Sequence, residues 1–200
     1  MKIDSRRDAL IVTDVQYDFL PGGALGVDGG NRVIPVINRL TPAFQHVVFS
    51  RDWHPGEHCS FSDDPEYVDR SWPPHCVQRT HGAEFHRDLQ IPERAMVVSK
   101  ATEEDREAYS CFQGTGLAEK LFRRGVERVF VTGLATDYCV RWTAEDAIRK
   151  GFDVIVISDA VAGIDVPKGN VAEAVAELRR QGAEFIQSTE IDVAEAGERS

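Results

Sequence analysis

Hydrophobic residues recur along this chain in two alternating rhythms: short unbroken runs, and longer stretches with helical spacing. Ala9-Leu10-Ile11-Val12-Thr13-Asp14-Val15, His46-Val47-Val48-Phe49-Ser50, Met96-Val97-Val98-Ser99-Lys100, Arg128-Val129-Phe130-Val131-Thr132-Gly133 and Asp153-Val154-Ile155-Val156-Ile157 have strand length and no polar alternation. Such runs predict strands buried on both faces. From Asn31, the spacing of Val33, Val36, Ile37, Leu40 and Phe44 is helical, and Pro35 falls early enough to sit in the first turn. Further helices are predicted over roughly 116–124, stopping at Gly125, and over 137–150, stopping at Gly151. Asn170 with Glu173 three residues on reads as a capping box opening a helix to Gly182, and Glu184-Phe185-Ile186 adds a last strand. The alternation predicts an α/β fold in three layers, a mostly parallel central sheet with helices on both faces. One domain is expected over 1–193, followed by a polar tail at 194–200. The stretch from 51 to about 94 is polar, Pro-rich and far longer than an ordinary connection, which marks a functional insertion.

Composition narrows the function classes. A chain of 200 residues that is 42% hydrophobic and 28% charged suits one soluble domain with a real core. The net charge of -10, without any Lys/Arg run, makes nucleic acid and anionic membrane poor partners and leaves a small molecule as the expected one. No apolar stretch reaches spanning length, and the start lacks an apolar signal core, so the expected compartment is the cytoplasm. Cys59, Cys76, Cys111 and Cys139 have irregular spacing and no C-x-x-C pair. That pattern argues against a disulfide framework and a zinc ribbon, and leaves room for one reactive thiol. Self-association into a homo-oligomer is left open.

Sites in parallel sheets gather at the carboxyl ends of the strands. Asp14, Asp52 and Lys100 close the first three predicted strands, and Cys139 opens the helix after the fourth. Asp137 is a candidate N-cap for that helix, whose dipole would favour a thiolate at Cys139. Lys100 would favour it further, and Asp14 is placed to take the proton. The plain alternatives are a small buried hydrophobe for Cys139, a loop-capping carboxylate for Asp14 and a solvated strand end for Lys100. Three such groups aimed into one cleft outweigh those alternatives.

A second constellation lies in the insertion: Asp52-Trp53-His54-Pro55-Gly56-Glu57-His58, then Trp72-Pro73-Pro74-His75-Cys76. One carboxylate and two imidazoles make a donor set for zinc, iron or manganese that leaves coordination positions open. In an extended segment Asp52 and His54 point the same way, and His75 would close the site. The competing reading is a polar loop that happens to hold histidines, which suffices for His81 and His86.

In this order the motifs resemble those of the nicotinamidases, the metal-containing branch of the isochorismatase-like cysteine hydrolases. The resemblance runs from Ile11-Val12-Thr13-Asp14-Val15-Gln16-Tyr17-Asp18-Phe19 to about Leu178. It includes Arg51-Asp52-Trp53-His54-Pro55, Trp72-Pro73-Pro74-His75-Cys76-Val77, Gly82-Ala83-Glu84-Phe85, Lys100, Ala108-Tyr109-Ser110 and Gly133-Leu134-Ala135-Thr136-Asp137-Tyr138-Cys139-Val140. It implies a triad of Asp14, Lys100 and Cys139, and a cis peptide at Leu134-Ala135 that turns the N–H groups of Ala135 and Cys139 into an oxyanion hole. It also implies one divalent metal ion, zinc first and iron or manganese as alternatives, on Asp52, His54 and His75. Phe19, Trp72 and Tyr109 would wall the ring of nicotinamide, and pyrazinamide would be a second substrate. Some relatives use an extra histidine at a different spacing, so His58 stands as its counterpart, as a group behind the ligands, or as a bystander. The rivals are another amidohydrolase of the superfamily, a metallo-amidase attacking with metal-bound hydroxide, and a binding module without catalysis. A dinucleotide-binding oxidoreductase is disfavoured because no G-x-G-x-x-G follows the first strand.

Overall fold

The first apolar run forms β1 (Asp8–Thr13), and all six of its residues are buried. In the computed structural model, which describes residues 1–68 and 70–193, five more strands follow. They are β2 (His46–Asp52), β3 (Met96–Lys100), β4 (Arg128–Leu134), β5 (Asp153–Ala162) and β6 (Glu184–Ile186). They assemble in the order β3-β2-β1-β4-β5-β6, and every pairing is parallel. The helices are α1 (Val33–Leu40), α2 (Leu117–Arg123), α3 (Arg141–Lys150) and α4 (Asn170–Arg180).

Burial on both sides explains why the strands carry no polar alternation. Leu10, Val12, Phe130, Ile155 and Ile157 pack with Val33, Ile34, Ile37 and Leu40 of α1 on one face. Ala9, Ile11, Val129, Val131 and Val156 pack on the other with Leu117 and Leu121 of α2, Ala144 and Ala147 of α3, and Leu178 of α4. Neighbouring residues of one strand thus serve opposite cores. Burying each Leu or Ile of this kind contributes roughly 1.5–3 kcal/mol.

Strand order reverses between β1 and β4, so their carboxyl ends leave in opposite directions and open a crevice there. Two backbone features shape its floor. Asp14 has a φ of +46°, which turns the chain out of the sheet directly after β1. Gly133 has a φ of +101°, and a Cβ there would lie 2.0 Å from Thr13 O, so only glycine lets β4 approach β1 this closely. The peptide between Leu134 and Ala135 is cis, in agreement with the resemblance.

Local expectations fail at two helix starts. The stretch after β4 begins as a π turn over Thr136–Val140, where Ala135 O accepts from both Tyr138 N and Val140 N, and only then becomes α3. The capping box at Asn170 is absent: Gly169 is the N-cap, and Asn170 Nδ2 donates to Asp137 Oδ2 at 3.2 Å. Asp165 Oδ1 instead accepts from Gly169 N and Val171 N, so a tertiary contact displaces the local one.

The long insertion is held by the sheet rather than looping away from it. His54 N donates to Cys76 O at 3.1 Å and Gln78 N to His54 O at 2.8 Å, which extends the sheet edge past the end of β2. Phe61 and Trp72 are similarly paired through Ser62 N to Trp72 O and Trp72 N to Ser60 O, both 2.8 Å. Among the described residues no helix is long and apolar enough to cross a membrane. The expected polar tail at 194–200 lies outside the described residues.

Candidate active site

Four strand ends bring four reactive side chains to the crevice. Lys100 Nζ lies 2.9 Å from Asp14 Oδ2, 3.4 Å from Cys139 Sγ and 3.2 Å from Ala108 O. It also donates to Asp52 Oδ1. Asp14 Oδ1 accepts from Ser50 Oγ at 2.7 Å. The register explains the meeting: β2 and β3 place Asp52 directly beside Lys100, and β1 beside β4 places Thr13 opposite Gly133.

The side chains of Lys100 and Asp14 are fully excluded from solvent, so their charges depend on one another. Burial opposes the charge on Lys100, but Asp14 and Asp52 together outweigh it and hold the ammonium charged. The two carboxyl groups do not share this equally. Burial, aided by Asp52 and opposed by Lys100, lifts Asp14 to about 6. Burial also acts on Asp52, but the ammonium of Lys100 against it brings it below its ordinary value. Asp14 is thus the carboxyl group that most readily takes and returns a proton. Burial pushes the Cys139 thiol well up, against the pull of Lys100 and with the carboxylates of Asp14 and Asp52 adding to it.

That direction corrects the expected resting thiolate, because burial outweighs the ammonium. Asp137 is not the expected N-cap either. Its carboxylate accepts from Ile164 N at 3.0 Å and Asp165 N at 2.9 Å, tying the turn that carries Cys139 to the loop after β5.

The second cluster adjoins the first through Asp52. Asp52, His54 and His75 each offer a ligand atom within 4.8 Å of the others, and all three are buried. His54 Nδ1 lies 3.0 Å from His75 O, and His75 Nδ1 lies 2.8 Å from Pro73 O. A carbonyl only accepts, so both Nδ1 atoms carry the proton and both Nε2 atoms keep a lone pair. Burial lowers His54 to about 3 and lowers His75 as well, keeping both imidazoles neutral. Neutral imidazoles with pinned rings beside a carboxylate fit a divalent cation.

His58 is buried too, with its ring centroid 4.4 Å from that of His54. Its Nδ1 meets Ser60 Oγ at 2.8 Å and its Nε2 meets Arg106 O at 3.1 Å. Its ligand atom groups with those of His54 and Glu107, not with Asp52 and His75.

A pocket joins the two clusters, and Phe19, Trp72, Tyr109, Ala135 and Cys139 all line it. Trp72 Nε1 donates to Tyr109 OH at 2.9 Å, and the Phe19 ring stands 5.4 Å from that of His75. Residue patterns missed part of this wall. Tyr138 stands edge-on to Trp72 with ring centroids 4.8 Å apart, and its neighbour Cys139 was the available signal. Leu25, Glu107 and Ile164 also line the pocket and carry no local signal, since folding alone brings them there.

Comparison with known proteins supplies independent findings. The isochorismatase domain family matches residues 8–190. A nicotinamidase/pyrazinamidase of Mycobacterium tuberculosis is 42% identical over 90% of this chain and 99% of its own. The pyrazinamidase of Pyrococcus horikoshii, solved in complex with zinc, superposes with a TM-score of 0.81 at 45% identity, covering 90% of this chain and 99% of that one. An L. infantum protein solved in complex with nicotinate superposes with a TM-score of 0.86 at 37% identity, covering 96% and 98%.

Proposed function

This chain belongs to the isochorismatase family, and on that premise we propose that it hydrolyses nicotinamide to nicotinate and ammonia through a thioester on Cys139. The observation that carries the reading is the convergence of Asp14, Asp52 and Cys139 on one buried ammonium, Lys100, next to the pocket that Asp52 and Cys139 line. Relatives named for acting on nicotinamide and pyrazinamide, at 39% and 42% identity, support the substrate class. Pyrazinamide follows as a second substrate.

Each residue then has a defined task. Phe19, Trp72 and Tyr109 hold the flat ring and exclude water from it. Asp14 takes the thiol proton as Cys139 Sγ attacks the carboxamide carbon, so the nucleophile is generated during the reaction. Lys100 keeps its charge and offsets the negative charge as it passes from Asp14 to sulfur. The N–H groups of Ala135 and Cys139 face the oxygen that becomes negative, and each such donor contributes roughly 2.7–4 kcal/mol to the barrier reduction. Asp14 returns its proton to the nitrogen as the C–N bond breaks and ammonia leaves. It then takes a proton from water as the water oxygen attacks the thioester carbon, and passes that proton to sulfur as the C–S bond breaks; the Cys139 thiol is restored and the nicotinic acid leaves as nicotinate, its proton lost to solvent.

Asp52, His54 and His75 would hold one divalent ion, zinc first, which when bound supplies a Lewis-acidic anchor for the ring nitrogen. The zinc complex of the P. horikoshii relative supports a metal here. Ammonia release from nicotinamide by the purified, zinc-loaded protein tests the reading, and absence of release at saturating substrate would overturn it.

A further inference from the structure

β1 stops pairing with β2 just short of the metal-ligand cluster. Asp14 N donates to Ser50 O at 3.1 Å, and the turn at Asp14 then carries the chain out of the sheet. Further along the same edge of β2 the insertion takes over, with His54 N on Cys76 O and Gln78 N on His54 O. Between these backbone rungs lies Asp52, and a side chain meets its peptide groups. Asp52 N donates to Gln16 Oε1 at 2.8 Å, and Gln16 Nε2 donates to Asp52 O at 2.8 Å. The second hydrogen on Nε2 goes to Ala83 O at 2.9 Å. The partners leave no choice of amide orientation, because an N–H needs the oxygen and two carbonyls need the nitrogen.

Gln16 is fully buried, and a buried amide persists only where its hydrogen bonds are made. Its side chain copies a strand neighbour for one residue, at the point where the real neighbour has turned away to present Asp14. On the other edge, Trp53 N donates to Lys100 O at 3.1 Å, so Asp52 is gripped from both sides. We infer that Gln16 is a positioning residue, setting the Asp52 backbone so that its carboxylate serves both Lys100 and the metal-ligand cluster. This inference rests on the reading of Asp52 as a ligand.

The test uses Zn²⁺ as probe, in competition with a chromophoric chelator, at a temperature where every variant is folded. Gln16→Met keeps the volume and loses all three hydrogen bonds. Its zinc affinity falls about tenfold or more, the size of loss typical when a group behind a metal ligand is removed. Thr132→Val is the control for general loosening: it removes a buried hydroxyl that donates to Ile11 O at 3.0 Å within the sheet, and it keeps the wild-type affinity. An equal loss in both variants overturns the inference. Zinc binding by Gln16→Met within twofold of wild type, while Asp52→Asn loses zinc, overturns the role of Gln16 alone. If Asp52→Asn also binds like wild type, the ligand reading falls and this inference with it. Should Gln16→Met fail to fold, Gln16→Asn keeps the amide but is one methylene too short, and the same loss is expected.

Discussion

The two halves of the site are built on opposite electrostatic principles. On one side the carboxyl groups of Asp14 and Asp52 are removed from water around one ammonium, Lys100, which they hold charged and which favours the charge on each of them. On the other, His54 and His75 are neutral, their rings fixed by carbonyl oxygens and their Nε2 lone pairs left available. A cluster that moves protons needs coupled charges whose balance can tip. A cluster that receives a cation needs unprotonated donors that keep still. Asp52 belongs to both, so the halves are distinct in chemistry but joined in structure.

The largest effect should come from removing Cys139, the proposed nucleophile beside the charged half. Cys139→Ala lowers kcat by at least about 10⁴-fold, since loss of one member of a nucleophilic triad removes the covalent route. The variant still binds nicotinamide and stays folded, which a binding titration and a melting curve check. Acid-quenched wild-type enzyme should carry a nicotinoyl adduct on the peptide containing Cys139, read by mass spectrometry, and an adduct elsewhere would reassign the nucleophile.

Removing the shared cation comes next. Lys100→Met leaves two buried carboxyl groups facing each other without compensation and destabilises the fold by about 3–5 kcal/mol. Denaturant unfolding measures this. A loss below about 1 kcal/mol, the size expected of an exposed ion pair, would mean that the charged half is not coupled.

The neutral half should respond more mildly and in a different kinetic constant. His54→Ala or chelation raises KM for nicotinamide by roughly 10- to 100-fold, the scale of lost metal anchoring. Benzamide lacks the ring nitrogen, so it is a poor substrate of the intact enzyme and loses proportionately less on chelation. Equal losses for both amides would point to a metal that activates water instead. The smallest effect is expected at Cys59, which is exposed and outside both clusters: Cys59→Ala changes kcat/KM by less than about twofold, as surface substitutions away from special features usually do.

The layers were legible in the order of residues alone. Runs such as Leu10-Ile11-Val12 and Val129-Phe130-Val131 can be satisfied only between two cores, which forces a parallel sheet with helices on both sides. That order also singled out Asp14, Asp52, Lys100 and Cys139, because residues at the ends of buried strands, or in the turn that follows one, gather at the crevice. Tertiary structure alone decided what depends on distant atoms. Asp137 caps no helix because the loop after β5 offers its carboxylate two N–H groups. Asn170 leaves its expected box for the same carboxylate. The Cys139 thiol is held up, not down, because complete burial outweighs the ammonium beside it. Gln16 reads as one polar residue in a loop, and only the turn at Asp14 shows that its amide replaces a missing strand neighbour. Periodicity records which residues avoid water, whereas hydrogen bonds and charge balance are set by neighbours that the chain meets only after folding.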